Sequence, residues 1–242
     1  MLTHLLLAAS GFLASVLNVI AGGGSFFTLP ILLLLGFPAA EANGTNRLGV
    51  VVQSVGAVWG FHRHGLLKWR ETMGLAIPCM LGAGLGAWLA LQVGDRDFRR
   101  MLSVVMVALT LWTLFDPTGR AAGALSDRPW LLRAGFLLAG VYGGFLQAGV
   151  GFLVLVLTTL AGLDLVRGNA VKVVSILLQT ALALAIFAWS GNVRWREGVS
   201  LAAGSLVGSL VGVHLTIAKG QRFVQTVVTT AIVVLAVHLW LS

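Results

Sequence analysis

Two polar clusters interrupt an otherwise apolar chain, and both carry the residue types that hold a small anion. The first reads Asn43-Gly44-Thr45-Asn46-Arg47 and continues to Gln53-Ser54. The second reads Asn169-Ala170-Val171-Lys172 and continues to Gln179-Thr180. Amides, hydroxyls and cations all donate hydrogen bonds, and neither cluster contains a carboxylate that would repel an anion. At ~100° per residue, Asn43, Asn46, Gln53 and Ser54 share about a third of a helix circumference, with Arg47 at its edge. Asn169, Lys172, Gln179 and Thr180 occupy the same arc. Such a stripe on a membrane helix faces the bundle interior, because turning a charge to lipid costs several kcal/mol. Two simpler roles compete. Asn43 and Asn169 also fit as helix caps, and Arg47 or Lys172, each near a helix start, could snorkel to the headgroups.

Ahead of each cluster lies a glycine break. Gly22-Gly23-Gly24-Ser25 separates the apolar runs 5–20 and 26–37, and Gln147-Ala148-Gly149-Val150-Gly151 separates 131–147 from 150–163. Three successive glycines do not continue a stable helix. A break at membrane depth exposes backbone groups that lipid cannot satisfy, so it belongs inside protein or beside a cavity. A helix restarting near Ser25 or Gly151 presents free N–H groups and a positive dipole end to that cavity.

The elements that must position these groups are membrane helices. Of 242 residues, 58% are hydrophobic and 10% charged, with mean hydropathy +0.95, against about 25% charged in soluble proteins. The net charge of +8 sits in short loops between apolar runs. It points to anionic lipid headgroups of the bilayer rather than to nucleic acid, with an anionic substrate as the second reading. Cys79 is the single cysteine, which excludes an intrachain disulfide and a cysteine metal cluster. No HExxH, GxxxxGK[ST] or GxSxG motif occurs. No cofactor or metal is expected, ATP hydrolysis has no site, and the chain does not read as an enzyme. All eight acidic residues lie in or beside loops, so a mid-membrane carboxylate relay has no candidate.

Further runs fall at 43–61, 73–93, 101–115, 170–189, 199–218 and 223–241. The longer ones suit the ~20 residues of a spanning helix, whereas 26–37 and 150–163 are half-helices or re-entrant segments. A shift of 126 residues aligns 22–115 with 148–241 without a gap, and 22 of the 94 positions are identical. Asn43 meets Asn169, Gln53 meets Gln179, Trp69-Arg70-Glu71 meets Trp195-Arg196-Glu197, and Gly82 and Gly86 meet Gly208 and Gly212. The chain is a fused duplication, with a first repeat over 1–116, a polar linker over 117–130 and a second repeat over 131–242. An odd number of crossings per half makes the repeats inverted. The fold class expected is an all-α polytopic bundle of two repeats, each with a Gly-broken helix pair. Gly82/Gly86 and Gly208/Gly212 read as close-packing pairs, the Trp-Arg-Glu elements as interfacial anchors, and His214 as a hydrogen-bonded core residue.

The Gly-rich break followed by Pro30, then Ala42-Asn43-Gly44-Thr45-Asn46-Arg47-Leu48, then Phe61-His62-Arg63-His64-Gly65 before a Trp, all duplicated, resembles the TauE/SafE sulfite-exporter-like family. The second break departs from its usual triple glycine. The resemblance implies a bacterial inner-membrane permease for a small anion such as sulfite or sulfoacetate. Its binding residues would lie around Gly22, Gly23, Gly24, Ser25, Asn43, Asn46, Arg47, Gln147, Gly149, Gly151, Asn169 and Lys172, joined by Gln53 and Gln179 on the helix arcs. The leading expectation is a secondary transporter working by alternating access. A passive anion channel and a non-transporting scaffold subunit are the alternatives, and a homodimer stays open.

Overall fold

The computed structural model describes residues 2–115 and 122–241, with side chains over 2–20, 22–108 and 122–218. The described residues form nine helices: α1 (Leu2–Ala21), α2 (Ser25–Leu34), α3 (Ala39–Arg63), α4 (Trp69–Ala90), α5 (Asp95–Phe115), α6 (Pro129–Phe145), α7 (Val150–Leu160), α8 (Leu165–Trp189) and α9 (Trp195–Leu241). Four contain stretches long and apolar enough to cross a bilayer: Leu2–Ile20, Trp69–Ala90, Leu165–Trp189 and Trp195–Ala218. At 25 residues α3 is as long as α8, but it spends Asn43, Asn46, Arg47 and Gln53 on a buried polar stripe. The short runs become α2 and α7, 10 and 11 residues long.

The 126-residue spacing recurs in several helix bounds. Ala39 to Leu165 and Arg63 to Trp189 are both 126 residues apart, as are Trp69 and Trp195, where α4 and α9 begin. The turn glycines Gly36 and Gly162, and Gly65 and Gly191, all have positive φ. Two departures follow from local sequence. The runs 199–218 and 223–241 join into the single helix α9, whereas α4 and α5 are separated by a turn. In the first half Asp95 follows Gly94, and its Oδ1 accepts from the Ala39 N–H at 3.1 Å. The matching Gly220-Gln221 has no acid at that position. The second half also starts early, with Pro129 at the first position of α6, where a missing N–H costs nothing. Residues 117–121 of the expected linker, with Asp116 before them, lie outside the described residues. Gly123 and Leu125 then donate to the Thr159 and Leu160 carbonyls at 3.0 and 2.9 Å.

The halves interdigitate. α1 packs along α9 and α6 along α4, while α3 and α8 lie against each other. Small residues allow the first two contacts: Gly82 and Gly86 back onto the Leu137 and Val141 carbonyls, and Gly208 onto that of Phe12. A side chain at any of them would displace backbone, so the glycine pairs are packing residues. α3 and α8 run in opposite directions. Gly44, near the start of α3, meets the Asn192 carbonyl beyond the end of α8. Phe61, near the end of α3, clusters with Ala170 and Val173 near the start of α8. Trp69 and Trp195 are exposed. His214 is exposed as well, which corrects its assignment to the core: it faces away from α1, opposite Gly212.

Candidate functional site

The two glycine breaks meet. A Cβ on Gly22 would lie 2.5 Å from the Gly151 Cα, and one on Gly151 would strike the Gly22 backbone in return. Each member of the triple glycine makes room for something different. Gly23 faces the Phe152 ring, 2.8 Å from where its Cβ would be, and Gly24 faces the Ala14 carbonyl and the Asn18 Cβ. Because Gly24 returns to Ala14, α2 folds back against α1. The backbone turns through left-handed conformations at Gly22 (φ 93°) on one side, and at Gln147 (φ 63°) and Gly149 (φ 73°) on the other. Such φ values suit glycine. Gln147 has a Cβ and is held there by its side chain, whose Nε2 donates to Thr180 Oγ1 at 3.2 Å.

Ending α1 and α6 inside the bundle leaves C-terminal carbonyls without helical partners. Each end is capped by a cation from the other half. Arg47 of α3 donates to the Gly143 carbonyl (3.3 Å), the Gly144 carbonyl, Asn43 Oδ1 (3.1 Å) and Gln147 Oε1 (3.0 Å). Its guanidinium lies 4.8 Å from the centre of the Phe187 ring. Asn43 completes the cap by donating to the Phe145 carbonyl at 2.8 Å. Lys172 of α8 donates from Nζ to the Asn18 and Val19 carbonyls of α1, at 2.8 and 2.9 Å. The negative ends of α6 and α1 thus offset part of each cation's desolvation. Arg47 and Lys172 are fully buried, and no Asp or Glu among the described residues is. Neither cation snorkels. Two positive charges are held inside the bundle with helix dipoles and amides, but no carboxylate, around them.

The site is therefore divided. Around the end of α6 stand Asn43, Arg47, Gln147 and Gln179. The Gln179 Oε1 accepts from the Cys79 thiol at 3.3 Å. Around the end of α1 are two adjoining cavities of about 10 Å³ each, lined in common by Asn18 and Gln53. The first adds Lys172 and Ser54. The second adds Gly24, Ser25, Thr28, Asn46 and Ser205. There Thr28 Oγ1 donates to Asn46 Oδ1 at 2.5 Å, and Asn46 Nδ2 donates to Ser25 Oγ at 3.3 Å. No side chain caps the N-terminus of α2 or of α7. Asn169 lines neither cavity and is fully buried, with no partner for either end of its amide. Arg47 Nε and Gln179 Nε2 are likewise unpaired. Each such group costs about 1–3 kcal/mol. A volume of 10 Å³ holds about one water molecule, so the pocket as it stands is closed around less than an oxyanion.

Asn18, Thr28 and Ser205 were not among the candidates read from sequence. Asn18 carries a signal: it is a lone amide in an apolar run, four residues before the first glycine. Thr28 and Ser205 have none, since small hydroxyls in membrane helices commonly bond their own backbone.

An all-helical bundle with several helices long and apolar enough to span a bilayer, two short apolar helices, and buried cations at the ends of α1 and α6 is a multi-pass membrane protein built in the manner of a transporter. The family model for the sulfite exporter TauE/SafE matches residues 7–239, and the chain belongs to that family. It is similar to a probable membrane transporter protein of Haemophilus influenzae, 31% identical over 90% of this chain and 87% of the relative. It is also similar to probable membrane transporter protein ORF9 of Sinorhizobium sp, 29% identical over 98% and 92% of the two chains. Probable membrane transporter protein YfcA of Escherichia coli K12 is 27% identical over 94% and 86%. No solved structure matches the chain. The protein is a membrane transporter of this family.

Proposed function

We propose that the chain is a secondary transporter that moves a small oxyanion, sulfite or an organosulfonate, across the bacterial inner membrane. The carrying observation is the burial of Lys172 and Arg47 beside converging glycine breaks with no acidic partner. Such a site is electrostatically incomplete, and an anion completes it. The side-chain donors of Asn46, Gln53 and Ser25, which line the cavities, supply hydrogen bonds to its oxygens. In this reading the halves are inverted repeats, supported by the opposed directions of α3 and α8, and access alternates as one repeat rocks against the other. Cavities of only about 10 Å³ favour alternating access over an open pore.

Proteoliposomes containing the purified chain test this. Saturable uptake of sulfite or sulfoacetate, with counterflow of labelled substrate, is the expected result. Linear, non-exchanging flux would instead identify a channel. Lys172→Met and Asn46→Ala should each abolish transport, and unchanged flux of every tested anion in both would remove the site assignment.

A further inference from the structure

Among positions matched by the 126-residue shift, Glu41 and Arg167 differ most in charge, an acid against a base. At one end, Arg194 in the loop between α8 and α9 reaches across to the first half. Its side chain pairs with Glu41 at the start of α3 and stacks 4.3 Å from the centre of the Phe37 ring. Its backbone N–H donates to Thr45 Oγ1 at 2.9 Å. The first-half side of this junction is itself tied down. Asp95 accepts from the Ala39 N–H at 3.1 Å, and Arg99 donates to the Phe37 carbonyl at 3.3 Å. Among the described residues Glu41–Arg194 is the one ion pair joining the halves, the others being i,i+3 pairs.

The 126-residue shift carries this junction to the opposite end, and every partner changes. Arg194 becomes Lys68, Glu41 becomes Arg167, Phe37 becomes Leu163 and Thr45 becomes Val171. An acid facing a base is replaced by two bases, the aromatic face by an aliphatic one, and the hydroxyl acceptor by a methyl. Lys68 and Arg167 accordingly pair only locally, with Glu71 at 3.5 Å and Asp164 at 3.4 Å. No ion pair crosses between halves there among the described residues.

We infer that Glu41 and Arg194 form a latch that holds one end of the pocket shut, while the like-charged positions Lys68 and Arg167 leave the other end the easier to open. The inference rests on the transport reading, in which the two ends open in turn. A pseudo-symmetric fold by itself gives the two closures equal weight, so an ion pair present at only one end biases the resting population. The side chains of Glu41 and Arg194 are 28% and 43% exposed. Such a pair supplies a small, reversible bias rather than a permanent lock.

Pulsed EPR on the full chain in lipid nanodiscs, in a Cys79→Ala background, reads both ends without substrate. Spin labels at Leu35→Cys and Asn192→Cys span the latched end. Labels at the matched Ala161→Cys and Leu66→Cys span the other. The expected result is a narrow distribution across the first pair and a broader, longer one across the second. Glu41→Gln should raise the long-distance population of the first pair about two- to fivefold and leave the second pair no broader. The exchange Glu41→Arg with Arg194→Glu should restore the narrow distribution. An unchanged first pair in Glu41→Gln, failure of the exchange to restore it, or a second pair narrower than the first would overturn the latch. These outcomes need no transport, so loss of flux in proteoliposomes leaves them readable.

Discussion

Gly22 and Gly151 touch backbone to backbone: a Cβ on the first would lie 2.5 Å from the Cα of the second. This contact joins the two halves at the glycine break of each, and it forbids any side chain on either residue. Gly22→Ala combines that clash with a left-handed φ of 93°, and should destabilise the protein by about 2–4 kcal/mol. Gly36→Ala is the matched control. Its φ is 84° but nothing lies within 4 Å of a new Cβ, so only the backbone penalty of about 1–2 kcal/mol applies. Thermal unfolding in detergent should rank wild type above Gly36→Ala and Gly36→Ala above Gly22→Ala. Equal losses would mean that the contact between the breaks contributes nothing.

Lys172 separates stability from transport. Lys172→Met removes a buried charge together with its two bonds to the Asn18 and Val19 carbonyls. Losing the charge offsets losing the caps, so the net change in stability should stay within about 2 kcal/mol. In the proposed transport reading anion flux needs the charge, so it should vanish. A melting curve and a flux assay on the same preparation give both numbers. A folded Lys172→Met that still transports would reduce Lys172 to a helix cap.

Much of this was legible because the polar residues are few. In so apolar a chain, Asn43, Asn46, Arg47 and Gln53 on one arc announce a buried face, and the 126-residue shift turns one broken helix into two. The sequence could not say what Arg47 touches. Its partners Gly143 and Gly144 are backbone carbonyls about a hundred residues away, and carbonyls leave no compositional trace. The cations also evade the repeat: Lys172 matches Asn46, while Arg47 matches Val173, so their common task of closing a broken helix becomes visible only in three dimensions. The Glu41–Arg194 pair was hidden for the opposite reason, because each is an unremarkable charge until the fold brings them together.

Arg47 should tolerate substitution less well than Lys172. It serves four oxygens with a planar fork, and an ammonium presents three donors from a single point. Arg47→Lys should therefore leave at least one of these four oxygens without its donor, and cost about 1–3 kcal/mol. Unfolding temperature is the measurement, and hydrogen exchange at the α6 end locates the loss. A stability equal to wild type would show that the cap is redundant with Asn43.

Asn43 and Asn169 occupy the same place in their repeats and should respond oppositely to one substitution. Asn43 bonds both the Phe145 carbonyl and Arg47, so Asn43→Leu strips partners from a buried cation and a helix end. A loss of about 2–4 kcal/mol is expected. Asn169 has no partner at either end of its amide, so Asn169→Leu relieves two unsatisfied groups. The closed state should become as stable as wild type, or more stable by about 1–3 kcal/mol. If the Asn169 amide is kept for the substrate, that gain comes with slower transport. Parallel unfolding and proteoliposome flux measurements on the two variants decide the matter. A stabilised Asn169→Leu with undiminished flux would remove Asn169 from the site.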